Sequence, residues 1–116
     1  MDQPLASQMI LMWMNGLIAA LWIVCGLTAF TAWRTFKQAA DLRWLFGYLL
    51  LALYAIGEAT AAWQWQRSFD SGNLGPAVVD AANAAGTYDL RFTALHLIAV
   101  FVVLFAFRTR RVKFDL

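Results

Sequence analysis

Three polar side chains that could do chemistry stand inside otherwise apolar stretches of the sequence. Glu58 is the only charged residue within residues 44–66, while Asn15 and His96 lie in stretches that have no charged residue at all. A carboxylate in lipid costs about 3 kcal/mol near the bilayer centre. Glu58 should therefore be neutral, paired or in contact with water. Proton handling, a water-lined pore, contact with a partner subunit and a structural hydrogen bond between helices are its candidate roles.

The elements that must position these side chains are three long apolar segments. The 116-residue chain is 62% hydrophobic and only 14% charged, whereas about a quarter of the residues of a soluble domain are charged. A helix of about 20 apolar residues crosses a bilayer, and unbroken apolar runs exclude the alternating pattern of barrel strands. The sequence predicts an all-α integral membrane three-helix bundle, a single domain with helices at about residues 8–33, 44–66 and 90–108.

The two connections differ in length. Residues 34–43 predict a polar loop in which Asp41, just before the second helix, is a plausible N-cap. Residues 67–89 form a longer external loop that contains Pro76, an Ala-rich stretch and Gly86. Proline at a helix start and glycine after its end are typical boundaries. We expect a short external interfacial helix at about residues 76–85.

The heights of the three polar residues can be counted from the predicted outer ends of their helices. At 1.5 Å per residue, Asn15 would lie roughly 9 Å deep, Glu58 roughly 12 Å and His96 roughly 9 Å. The count predicts one intramembrane polar layer to which each helix contributes a residue. Gly16 and Ala20, and likewise Gly57 and Ala61, are four residues apart, a spacing that lets helix backbones approach closely.

Little in the sequence points to catalysis. The chain has no nucleophile–base pair, phosphate-binding loop or metal-ligand constellation, and its single histidine argues against a haem or His-rich metal site. The lone Cys25 is interpreted as a packing residue. We expect a protein that is not an enzyme and that needs no cofactor. Its expected partners are the lipid bilayer and membrane-embedded chains, and not nucleic acid.

The distribution of basic residues predicts an orientation. The first loop and the C-terminal tail hold seven of the nine Lys and Arg residues and lie on one side of a three-helix protein. The positive-inside rule makes that side cytoplasmic, with the N-terminus outside. The inner membrane of a bacterium is the expected location. The basic tail is expected to anchor the protein on anionic lipid, through Arg108, Arg110, Arg111 and Lys113.

In architecture, the whole chain resembles the class I phage holins, small proteins with three transmembrane helices, an external N-terminus and a basic cytoplasmic tail. No sequence motif carries the resemblance. It implies a protein that oligomerises and permeabilises the membrane. A non-catalytic accessory subunit of a respiratory, photosynthetic or transport complex is the alternative, which the 16% aromatic content also favours.

Overall fold

The computed structural model describes the backbone of residues 6–115 and the side chains of residues 7–106. This part of the chain folds into three α-helices: α1 (Ala6–Phe36), α2 (Ala39–Asp70) and α3 (Pro76–Asp115). Each helix contains a segment long and apolar enough to cross a membrane: Ser7–Phe36, Ala39–Asp70 and Pro76–Ala106. The prediction of an all-helical protein with three candidate spans is confirmed, and these features are consistent with an integral membrane protein.

The first connection is much shorter than the predicted loop, because both helices continue into it. Only residues 37 and 38 separate α1 from α2. Lys37 adopts a left-handed conformation (φ 58°), and its N–H donates to the Trp33 carbonyl at 2.7 Å. Its ammonium group lies 4.7 Å from the centroid of the Trp33 ring. A left-handed residue with this bond ends a helix and turns the chain.

The start of α2 also differs from the prediction. Gln38, with extended φ and ψ, is the N-cap residue, and its side chain makes no capping hydrogen bond. Asp41 is not the cap but lies in the first turn, where its N–H donates to the Gln38 carbonyl at 3.1 Å. A carboxylate in the first turn still interacts favourably with the helix dipole.

Glycine and proline define the second connection. Gly72 has φ 77°, its N–H donates to the Phe69 carbonyl at 3.0 Å, and the Asn73 N–H donates to the Ser68 carbonyl at 3.3 Å. This pair of bonds is a Schellman motif, in which glycine takes the left-handed position. Pro76 then begins α3, at the helix position where its missing N–H costs nothing.

The predicted short external helix is not a separate element. Residues 76–85 are helical, but they form the first turns of α3, which continues through Gly86. Gly86 is a packing position instead of a helix end. A Cβ built on it would meet the Ser7 hydroxyl and would lie 3.0 Å from the Ser7 Cβ. Close packing against α1 and an Ala-rich flank therefore favour continuation of the helix.

The core has α1 at its centre. The buried residues of α1 recur at alternating steps of four and three residues, as in left-handed helix packing: Leu11, Asn15, Ile18, Trp22, Cys25 and Ala29. The facing positions of α2 are mostly alanine, which allows close approach: Tyr48, Ala52, Ala55 and Ala62. Helix α3 packs mainly on α1 and leaves most of its own surface exposed.

Candidate functional site

Tryptophan residues cluster at two levels along the bundle axis. Trp13 and Trp63 are exposed near one end, and Trp33 and Trp44 flank the turn between α1 and α2 at the other. Trp13 and Trp33 are 20 residues apart in α1, which corresponds to about 30 Å along the axis. This distance equals the usual thickness of the hydrocarbon core. Because Trp and Tyr prefer the two interfaces, these residues mark where the bilayer fits.

The bonds between α1 and α3 set the register of the bundle. The Ser7 hydroxyl lies 3.2 Å from the Asn83 carbonyl, and the Gln8 side-chain amide donates to the Ala82 carbonyl at 3.0 Å. Helix α3 thus begins beyond the start of α1 and runs parallel to it. Tyr88, five residues after Asn83, consequently lies near the height of Trp13.

A hydrogen bond joins His96 to α1 in the interior of the bundle. The Trp22 indole N–H donates to His96 Nε2 at 2.8 Å, and Trp22 is only 4% exposed. Since Nε2 accepts, the neutral ring carries its proton on Nδ1. The Trp22 ring also stacks on Tyr48 with centroids 5.6 Å apart, and the ring of Tyr54 lies 6.2 Å from that of His96. This bond gives Trp22, the mid-membrane tryptophan, a polar partner.

Sequence reasoning missed this pair, although a signal for it was present. A tryptophan far from both interfaces must place its N–H against an acceptor. Among the polar residues of the spans, His96 offers an unprotonated ring nitrogen. What the sequence lacked was the register, because the predicted third helix began at residue 90 and the observed one begins at Pro76.

Asn15 satisfies its side chain within its own helix. The residue is 3% exposed, and its amide donates to the Leu11 carbonyl at 2.9 Å. Backbone carbonyls one turn away are common partners of polar side chains in helices. Among the described residues, the Asn15 amide thus bonds within α1 and to neither α2 nor α3.

Glu58 differs from the other two, because its side chain is exposed on α2. Among the residues that the structure describes, none forms a hydrogen bond or an ion pair with it. It lies five residues from Trp63 along the helix, about 7 Å inside the aromatic boundary. Tyr54, Ala61 and Trp65 share its side of α2, since the spacing of four, three and four residues follows one helix face. We call these four residues the Glu58 stripe.

The structure does not bring Asn15, Glu58 and His96 into contact. The bond from Trp22 places His96 at the height of a residue seven positions beyond Asn15, about 10 Å further along the axis. Glu58 lies at an intermediate height, and its carboxylate is outside the core. The three polar groups are distributed along the bundle, each in a different environment.

The two small-residue pairs lie in different surroundings. Gly16 and Ala20 line an open groove between α1 and α2. Gly57 has no heavy atom within 4 Å of a Cβ built on it, and Ala61 is exposed. Among the residues that the structure describes, neither pair forms a tight helix crossing. The anchor residues Arg108, Arg110, Arg111 and Lys113 lie outside the residues whose side chains the structure describes.

Among the described residues, no group of three or more His, Cys, Asp and Glu side chains could hold a metal ion. Comparison of the chain with protein-family models, curated proteins and solved structures finds no match.

Proposed function

We propose that this protein is an integral membrane subunit that assembles with further copies of itself through the Glu58 stripe of α2. The supporting observation is the exposed Glu58 carboxylate inside the aromatic boundary, with no polar partner among the described residues of its own chain. A carboxylate in this position needs water or a polar group from elsewhere. A neighbouring copy supplies a polar group to the carboxylate and shelters it from lipid.

The residues around Glu58 suit such a contact. Gly57 and Ala61 leave the surface of α2 low beside the carboxylate, so that another helix can approach closely. Interhelical hydrogen bonds in membranes contribute about 0.6 kcal/mol on average. One such bond is modest, but repetition around a closed ring adds one at every interface.

An assembly of this kind gives the chain a holin-like role. Copies arranged around an axis, each with its Glu58 stripe in contact with the next copy, would bring the carboxylates close to that axis, where water can wet them, and the membrane would become permeable. In this proposal the protein resides in a bacterial inner membrane, with the N-terminus outside and the basic tail in the cytoplasm. Arg34, the basic residue in the last turn of α1, lies on the side that this orientation makes cytoplasmic.

A second function is favoured by the surface of α3. Only 6% of the apolar window of this helix is buried, compared with 39% for α1. Its outer side carries several large apolar side chains: Phe92, Leu95, Ile98, Phe101 and Val102. A different membrane protein could cover this surface, and the chain would then be an accessory subunit of a larger complex.

Cysteine cross-linking tests the self-association. Ala61→Cys places a thiol in the Glu58 stripe, and Leu27→Cys places one on α1, where the side chain is 61% exposed but outside the stripe. The native Cys25 is buried and does not compete. We expect oxidised dimers for Ala61→Cys and few for Leu27→Cys in native membranes. Equal yields for the two variants would contradict the proposed interface.

A dye that reports membrane potential separates the two functions. Controlled expression in bacteria should cause abrupt depolarisation if the assembly is a pore, and Glu58→Gln should delay or abolish it. Preserved potential, together with one foreign protein that co-purifies in constant proportion, would support the accessory-subunit role instead.

A further inference from the structure

An open apolar groove runs between α1 and α2 on the side of α2 away from Glu58. Its walls include Gly16, Ala20 and Ile23 from α1 and Ile56, Thr60 and Trp63 from α2, and its volume is about 390 Å³. The Thr60 hydroxyl donates to the Ile56 carbonyl at 2.8 Å, so this polar group is satisfied within the helix. A Cβ built on Gly16 meets no atom within 4 Å, so the groove is open beside this residue.

Arg67 lies beside the end of the groove that Trp63 lines. The guanidinium carbon of Arg67 lies 5.3 Å from the centroid of the Trp63 ring. Ile56, Thr60, Trp63 and Arg67 follow one another at steps of four, three and four residues, so they share one face of α2. The nearby Asp70 carboxylate accepts from the Gln66 side chain at 3.0 Å. No described carboxylate forms an ion pair with Arg67, which leaves its charge available to a ligand.

The groove extends through most of one leaflet of a bilayer. Ile56 and Arg67 are eleven residues apart in the sequence, about 16 Å along the helix. Half of the hydrocarbon thickness is about 15 Å. The lining of the groove ends at Trp63, seven residues or about 10 Å from Ile56. The groove therefore covers about two thirds of the hydrocarbon depth of one leaflet, and Arg67 lies just beyond the aromatic boundary.

We propose that this groove binds a phospholipid of the leaflet that faces the N-terminal end of α1. One acyl chain lies along Gly16, Ala20 and Thr60, and the phosphate accepts hydrogen bonds from the Arg67 guanidinium. Arginine suits this role because its planar donors match the oxygens of a phosphate.

The chemistry of the groove favours a lipid over the apolar face of a helix. Its lining is almost wholly apolar, and the Arg67 guanidinium beside its end forms an ion pair with no described carboxylate, so an acyl chain that ends in a phosphate matches both parts. The site also differs from the Glu58 stripe, since Glu58 and Thr60, two positions apart, point to opposite sides of α2. Loss of self-association would leave this binding site intact.

Photo-labelling with a defined lipid tests the proposal. The full chain is reconstituted in nanodiscs of phosphatidylglycerol that carry a diazirine on one acyl chain, and the labelled peptides are mapped by mass spectrometry. We expect labelling to concentrate at residues 16–23 and 56–63. Gly16→Leu fills part of the groove and should reduce the labelling severalfold, whereas the matched Gly47→Leu, at an open position outside the groove, should not.

A second variant tests the headgroup contact. Arg67→Gln should lower the amount of phosphatidylglycerol that native mass spectrometry finds on the detergent-extracted protein by about fivefold, the effect of one basic residue near an anionic surface. Labelling spread evenly over all exposed faces, or unchanged by Gly16→Leu, would overturn the proposal. Cross-links from the groove to a second copy of the chain would also overturn it and assign the groove to a protein contact.

Discussion

The close packing of Gly86 on α1 gives the sharpest prediction about the fold. At an open helix position, Gly→Ala stabilises a protein by about 0.5–1 kcal/mol, because alanine loses less backbone entropy on folding. At Gly86 the new methyl group would lie 3.0 Å from the Ser7 Cβ and closer to its hydroxyl. Overpacking of this kind costs about 1–3 kcal/mol. It would also disturb the Ser7 hydroxyl, which lies 3.2 Å from the Asn83 carbonyl.

We therefore expect Gly86→Ala to lower the free energy of unfolding by about 0.5–2 kcal/mol, the overpacking cost reduced by the gain in propensity. Gly47→Ala is the matched control, since a Cβ at Gly47 meets no atom within 4 Å, and it should stabilise the protein. Unfolding of both variants in mixed micelles with increasing SDS, followed by circular dichroism, gives the comparison. A Gly86→Ala protein as stable as Gly47→Ala would show that α1 and the first turns of α3 do not pack together.

Three further predictions concern bonds that hold the helices and their ends. A double-mutant cycle of Trp22→Phe and His96→Leu in the same SDS assay should give a coupling energy between about 0.6 and 1.7 kcal/mol, and additive effects would mean that the Trp22–His96 bond does not link α1 to α3. Gly72→Ala should destabilise the end of α2 by about 1 kcal/mol, because Gly72 has φ 77° and a Cβ is strained there; faster proteolysis between α2 and α3 is the readout, and an unchanged rate would argue against the left-handed cap. Lys37→Val should destabilise the protein, because a β-branched side chain fits φ 58° worse than lysine does and because it loses the cation–π contact with Trp33, worth about 0.5–1 kcal/mol at an exposed site. Lys37→Gly should be nearly neutral, because relief of about 1 kcal/mol of strain offsets that lost contact; equal effects of the two on the thermal midpoint would count against this explanation.

The sequence was informative about the spans and less so about their ends. The absence of charge from residues 9–33 and 92–107 is enough to predict apolar helices, because few other structures bury such segments. The same reasoning placed helix ends at the first charged residues. Lys, Arg, Gln and Ala are good helix formers, so α1 and α2 continue through the polar residues around the first turn.

The site depended on information that the sequence does not contain. In the sequence, Gly86 follows an Ala-rich stretch, which is typical of a glycine at a helix end. Only its contact with Ser7 shows that it is a packing position. In the observed register of α3 against α1, His96 lies at the height of Trp22, and the two side chains form a hydrogen bond. Register between helices is a tertiary property, and counting depth along each helix separately cannot recover it. The isolation of Glu58 on the outside of α2 likewise follows only from knowing which face of α2 packs on α1.

Self-association through the Glu58 stripe is the proposed property that is most directly open to measurement. Native mass spectrometry of the protein released from nanodiscs measures the copy number directly. We expect several copies for the wild type and mostly single chains for Ala61→Leu, which raises the surface beside Glu58 without changing its charge, while Leu27→Ala keeps the wild-type copy number. A wild-type protein that is released only as single chains would contradict the account.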